Sequence, residues 1–247
     1  YTLLFTIMRK ILLLLGLFTG ALYSNAGVSD SEISHKTWDQ LLMKHVSVSG
    51  NVNYEGFKND KAKLQEYLNS LAKESPSESW SKNEKMAYWI NAYNAFTVKL
   101  ILDNMPLKSV MEINGGKAWD LKFIKIGNKT LSLNNIEHDI LRAKFKDARI
   151  HFAVNCASIS CPKIKNSAFN ANELEKQLDQ MTRSFVNNHT KNKIEAGNVK
   201  ISKLFDWYKD DFTKQGSVID FLNKYSKTKI NSAAKISFME YNWNLNS

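Results

Sequence analysis

The feature that most limits how this chain can fold is an apolar run set between a helix-start signal and a proline. Ser81-Lys-Asn-Glu84 has the spacing of a capping box, in which the serine side chain caps the first turn and the glutamate bonds back to it. Met86-Ala-Tyr-Trp-Ile-Asn-Ala-Tyr-Asn-Ala-Phe-Thr-Val-Lys-Leu-Ile-Leu102 follows, and Pro106 ends it. The pattern predicts a helix from Ser81 to about Asp103. A helix apolar on nearly every side belongs in a core, so the other elements must pack around this one. Asn91 and Asn94 lie three apart on it, near the line of Ala87, Val98 and Ile101. A buried amide without a partner costs about 1–3 kcal/mol. These two therefore either tie down loop backbone or orient a site.

The remaining elements read as satellites of that helix. Trp38, Leu41, Leu42 and His45 have helical spacing, as do Phe57, Leu64, Tyr67, Leu68 and Leu71 in a helix ending near Lys73. Lys122–Ile126 and Thr130–Leu133 flank Gly127-Asn-Lys129 as a hairpin, and Lys193–Ile201 forms a second around Gly197-Asn198. A ten-residue helix is expected from Asn134 to Ala143, a strand from Arg149 to Asn155, and a helix opening at Asn170 with Leu174, Leu178, Met181 and Phe185 inward. Two short helices, near Leu204–Phe212 and Ser217–Tyr225, and a last strand, Ile236–Tyr241, complete the chain. Helices and hairpins without βαβ alternation predict an α+β fold: one mainly helical domain over residues 36–247, with a small antiparallel or mixed sheet.

The first 35 residues stand apart. Met8-Arg9-Lys10 is a basic start, Ile11–Tyr23 is apolar, and Ser24-Asn25-Ala26 offers small residues for cleavage. That is a secretory signal, with cleavage after Ala26 and Tyr1–Ile7 upstream of a natural start. The competing reading is an anchor helix from Leu3 to Leu22, which Arg9 and Lys10 interrupt. Residues 27–35 read as a flexible lead. No later run is long enough to span a membrane, so the expected location is periplasmic or secreted. The net charge of +10 becomes +8 without Arg9 and Lys10, the only charged residues before Gly27. The lysines are spread along the chain rather than clustered with aromatics, which argues against nucleic acid and fits solubility or weak attraction to anionic envelope surfaces; the expected partner is an unknown substrate or envelope ligand.

Reactive side chains gather in Arg149-Ile-His-Phe-Ala-Val-Asn-Cys-Ala-Ser-Ile-Ser-Cys-Pro162, which holds both cysteines. Glu137 and His138 lie one element earlier. Three readings compete. In an oxidising compartment Cys156 and Cys161 can form a disulfide, although so small a loop gains little from closure. Cys156 can be a nucleophile, with His151 or His138 as base and Glu137, Asn91 or Asn94 as orienter. Strand alternation would place His151 and Cys156 on opposite faces, so this reading needs the strand to end or bulge near Asn155. A zinc site is the third, disfavoured by loose cysteine spacing and scattered histidines. Phosphate-loop, nucleophile-elbow and His-Glu-x-x-His motifs are missing, and no cofactor is expected. His35, His45 and His189 read as surface residues.

Several stretches together resemble one family, the bacterial and plant domain of unknown function abbreviated DUF547. They are Tyr88–Asn94, Leu131–His138 with Leu141-Arg142, Arg149–Ser158 with Ser160-Cys-Pro162, Lys203–Phe212 and Glu240–Asn246. The resemblance runs from about 36 to 246. It implies a single domain and directs attention to Asn91, Asn94, Glu137, His138, His151 and Cys156. It also favours Cys156 over Cys161, and Ala157 stands where many members have glycine. Two functions follow as expectations: a cysteine-dependent hydrolase or transferase acting on amides or esters, or a non-catalytic envelope-binding module with a structural Cys/His/Asn cluster.

Overall fold

Helix α4, Lys82–Asn104, is the axis of the molecule, and 15 of its 23 residues are buried, on every side of the helix. Its capping box forms as the sequence predicts: the Ser81 hydroxyl accepts the Glu84 N–H and Glu84 accepts the Ser81 N–H. The computed structural model describes residues 34–247, so the signal-or-anchor reading of the first 26 residues lies outside the described residues. Before α4 come α1 (Lys36–His45), α2 (Tyr54–Asn59) and α3 (Lys61–Lys73). The single helix expected over 57–73 is thus two. Asn53 caps α2 by accepting the Gly56 N–H, and the chain turns at Asp60 before α3.

After α4 the chain makes two 3-10 segments, Val110–Gly116 and Ala118–Asp120, then the hairpin β1 (Ile124–Ile126) and β2 (Lys129–Leu131). Asn135–Phe145 is wound as a π-helix where an ordinary helix was expected. Wider winding of this kind often marks functional sites. Helix α5 (Leu174–Val186) buries the predicted Leu174, Leu178, Met181 and Phe185. Asn170 caps the turn leading into it by accepting the Glu173 N–H. Then follow β3 (Lys193–Ile194), β4 (Asn198–Ile201), α6 (Leu204–Trp207), α7 (Lys209–Phe212), α8 (Val218–Tyr225) and β5 (Lys235–Phe238). β3 pairs antiparallel with β4, and β5 joins β4 in parallel, with Val199 opposite Ile236. The architecture is α+β and mainly helical, as expected. Among the described residues no helix is long and apolar enough to cross a membrane.

One expected element is absent. Arg149–Asn155 is not a strand; Ala148–Phe152 is a 3-10 turn, continued by a bend. Asp147 caps it by accepting the Arg149 N–H at 2.9 Å, and Ile150 O accepts the N–H groups of Ala153 and Val154. The Arg149 guanidinium reaches Asp147, Glu175 and Asp179, which fastens the turn to α5. Its β-forming residues answer to burial instead. Phe152 packs among Phe185, Phe205, Phe212 and Phe221, so its hydrophobicity reflects a core position with no ladder partner.

Two histidines expected at the surface are inside. His35 bonds the Tyr67 hydroxyl at 2.7 Å and His45 bonds Asp60 at 2.6 Å; both side chains are buried. Burial of His35 also anchors the end of the segment expected to be flexible.

Candidate functional site

The two asparagines of α4 hold the backbone that shapes the site. Asn94 donates to Ala153 O at 2.9 Å and accepts the Asn155 N–H at 2.8 Å. Asn91 does the same for Phe169, at 2.7 and 3.0 Å. Each amide gives one hydrogen bond to main chain and accepts one from it, and neither lines the cavity described below, so they position loops. Asn155 then closes its own loop, donating to Pro162 O at 2.7 Å and accepting the Ala157 N–H at 2.9 Å. Ala157 sits at φ +63°, in the left-handed region where L residues are strained. The C-terminal tail lashes this loop down. Ile159 and Ser160 donate to Asn244 O and Asn242 O, and Asn246 donates to Ala157 O.

Cys156 and Cys161 are both free thiols, with Cys161 buried and Cys156 partly open. The Cys156 sulfur lies 3.1 Å from the Ser158 hydroxyl and 3.3 Å from the Tyr241 hydroxyl, and Cys161 Sγ accepts the Cys156 N–H at 2.9 Å. Burial pushes the Cys156 thiol up, but hydrogen bonds with Cys161, Ser158 and Tyr241 outweigh it and bring it down to about 7. Cys161 goes the other way, raised by burial and by its neighbouring thiol. The pair thus holds one easily ionised sulfur and one inert one.

Cys156 opens onto a cavity of 270 Å³ that Glu137 and His151 also line. His151 is buried, its Nε2 lies 2.8 Å from Asp211 Oδ2, and its ring stacks on Tyr208 with centroids 4.0 Å apart. Burial lowers the His151 pKa despite the pull of Asp211 and Glu137. The ring is therefore neutral at pH 7, with the proton that suits Asp211 on Nε2 and a free lone pair on Nδ1. The hydrogen bond from His151, with those of Lys214 and Arg142, holds Asp211 far below the usual carboxylate range. Glu137 accepts the Tyr93 hydroxyl at 3.0 Å and the Tyr208 hydroxyl at 2.6 Å, one on each oxygen. The π-helix turns His138 away from the cavity, where its Nδ1 accepts from Arg142 at 2.9 Å.

The cavity mouth is aromatic. Trp207 and Trp243 stack 5.7 Å apart, and Trp119 meets Trp243 edge-on at 5.7 Å. Tyr241 lies 4.4 Å from Trp243 and 4.8 Å from Trp207. Behind the loop lies a second cavity, and Cys161 and Pro162 face both. Two lysines line it, and each has its ammonium on a backbone carbonyl, Lys163 on Val48 and Lys191 on Ile159. Among the described residues no group of three or more His, Cys, Asp or Glu is arranged to hold a metal ion.

A family model described as "Protein of unknown function, DUF547" matches residues 77–186. The chain belongs to the DUF547 family. The match covers about half of the chain, from the loop before α4 through α5, and so is shorter than the motif resemblance, which ran from 36 to 246. None of the curated proteins or solved structures compared with the chain matches it.

The DUF547 segment contributes Glu137, His151 and Cys156, which the fold brings to one cavity. It also contains His138, Asn91 and Asn94, which do not line that cavity. Asp211, Tyr208, Trp207, Tyr241 and Trp243 lie beyond the matched segment and were not singled out as site residues. Their only signal was membership of Lys203–Phe212 and Glu240–Asn246, two stretches of the family resemblance that carried no reactive pattern of their own. The expected separation of His151 and Cys156 on opposite strand faces lapses with the strand itself.

Proposed function

We propose that this DUF547 protein is a cysteine-dependent hydrolase or transferase acting on an amide or ester, with Cys156 as nucleophile, His151 as proton carrier and Asp211 as its orienter. The observation that carries the reading is the part-open Cys156 thiol, brought down to about 7, on the same cavity as a buried histidine tied to a carboxylate. A thiol at that value is substantially ionised at neutral pH without a base bonded to it. The absence of a His151 bond among the Cys156 contacts is then no obstacle, because Cys161, Ser158 and Tyr241 do the activating.

In this reading the Cys156 thiolate attacks the carbonyl carbon and the C=O pair moves to oxygen. Collapse breaks the C–N or C–O bond and leaves a thioester. One water completes the cycle, giving its proton to the departing amine or alcohol and its hydroxyl to the acyl carbon. His151 Nδ1 relays the proton while Asp211 fixes the ring. The thiolate is released unchanged. The basic, apolar Met8–Tyr23 and the small residues before Gly27 support delivery outside the cytoplasm. A mature protein starting at Gly27 in the extracytoplasmic fraction is the expected finding; a retained leader in the membrane fraction opposes it.

The test is iodoacetamide labelling against pH, with mass spectrometry of the peptide carrying Cys156. Labelling should rise with a midpoint near 7, p-nitrophenyl esters should leave an acyl group on Cys156, and Cys156→Ala should abolish turnover with little change in melting temperature. A thiol that reacts only above about pH 9, or a large loss of stability in that variant, would favour the structural role instead.

A further inference from the structure

The mouth of the cavity raises a different question from its floor. Trp119, Trp207, Tyr208, Tyr241 and Trp243 come from three separate parts of the chain and converge there, and Trp207 remains 46% exposed. A part-exposed aromatic cluster around a cavity is a surface suited to covering by a ligand. The rings do not make a flat platform. Trp119 is inclined 62° to Trp243, Tyr241 49° to Trp243 and 52° to Trp207, while Trp207 and Trp243 are nearly parallel at 19°. Mutually tilted faces enclose a rounded group, whereas a sugar ring stacks on a flat one.

The charge inside is of one sign. Glu137 is only 6% exposed, and its hydrogen bonds come from two neutral phenols rather than from a cation. A buried acidic side chain with no cationic partner in the fold offers a complementary place for a cation. The other ionisable groups on the cavity do not supply it. Lys117 and Asp120 are exposed and opposite in sign, His151 is neutral, and the Cys156 thiol adds negative charge as it ionises. Arg142 lies over the Tyr208 ring at 4.9 Å but does not line the cavity, and Asp211 engages it at 2.6 Å.

We propose that this aromatic mouth and Glu137 together bind an organic cation, a substituted ammonium group. The ring faces would meet its alkyl surface and the carboxylate its charge, the chemistry by which aromatic cages take quaternary ammonium ligands. As a statement about the substrate, this rests on the hydrolase reading: the scissile amide or ester carries an ammonium group that docks at the mouth while its carbonyl lies over Cys156. As a statement about the pocket, it needs no reaction at the thiol.

The experiment titrates the full chain with choline and with dimethylbutanol, its uncharged carbon analogue, following tryptophan fluorescence and calorimetry. Choline should bind saturably and the neutral analogue about tenfold more weakly or worse. Glu137→Gln and Trp243→Ala should each weaken choline about tenfold. Trp207→Ala, at the most exposed ring, should do the same with no effect on folding. Cys156→Ala removes an anion from the cavity but should still bind choline saturably, which separates failure of the pocket from failure of the chemistry. Equal binding of the two probes, no saturable choline binding, binding of N-acetylglucosamine oligomers in place of choline, or unchanged affinity in all three pocket variants would overturn the proposal.

Discussion

At the scale of single residues, the best-defined roles belong to groups that hold backbone. Asn94 satisfies both Ala153 O and the Asn155 N–H, which no other side chain reaches. Asn94→Ala strands a buried donor and a buried acceptor and should lower stability by about 2–4 kcal/mol in urea unfolding. Ala157→Gly should act in the opposite sense. Relief of the left-handed conformation is worth about 1–2 kcal/mol, partly offset by greater freedom of glycine in the unfolded chain. A net gain of up to about 1 kcal/mol is expected, read by the same urea titration. The buried histidines give the stability a pH slope. Burial lowers His35 to about 4, against an unfolded value near 6.5, and lowers His151 as well. The unfolded chain therefore binds these protons more readily than the folded one. The stability that neutral His35 contributes is full above about pH 6.5 and is lost as the pH falls from 6.5 to 4, by roughly 3 kcal/mol. His35→Gln keeps a hydrogen bond to Tyr67 within reach and should flatten that part of the profile, measured by thermal melts between pH 4 and 7.

At the scale of elements, periodicity spoke clearly where one face is buried and poorly where everything is. The residues of α1, α3 and α5 have an apolar stripe, and α4 has caps and a terminating proline, so each was legible. Ile150, Phe152 and Val154 are β-formers for a reason unrelated to strands: they fill space between α4, α5 and the phenylalanine cluster. A short, wholly buried run carries no period that distinguishes a turn from a strand. What decides is a side chain three residues before Ile150. Asp147→Ala removes the cap of the 3-10 turn and one partner of Arg149, and should cost about 1–2 kcal/mol. Hydrogen exchange of the Ala153 and Val154 amides should quicken more than that of α4. If α4 loosens equally, the turn is not an independent element.

At the scale of the whole molecule, the site is a product of long-range folding. Glu137, His151 and Cys156 were nameable because reactive residues are rare and lay close together in sequence. Asp211 and the tryptophans were not, because an aspartate in Lys-Asp-Asp-Phe and a tryptophan near the terminus look like any other until the tail returns. That return joins distant parts: Val52 donates to Asn246 O, the Tyr54 hydroxyl to Asn246 Oδ1, and Leu245 to Lys108 O. The segment that defines the family ends at 186, well short of the groups that complete the cavity. Deleting residues 240–247 should leave far-UV circular dichroism almost intact while Cys156 loses Tyr241 and keeps Cys161 and Ser158. The labelling midpoint should move up part of the way toward the ordinary thiol value of about 8.5.

The lashing of the cysteine loop by residues 242–246 also makes the surroundings of Cys156 depend on a segment distant in sequence. Asn155 closes the loop that carries Cys156 from within, and the hydrogen bonds of Asn242, Asn244 and Asn246 complete its attachment. A molecule in which residues 240–246 have peeled away keeps its core but lacks the Tyr241 hydroxyl beside the Cys156 sulfur. Local detachment of that strip, rather than global unfolding, is the opening that changes the surroundings of Cys156.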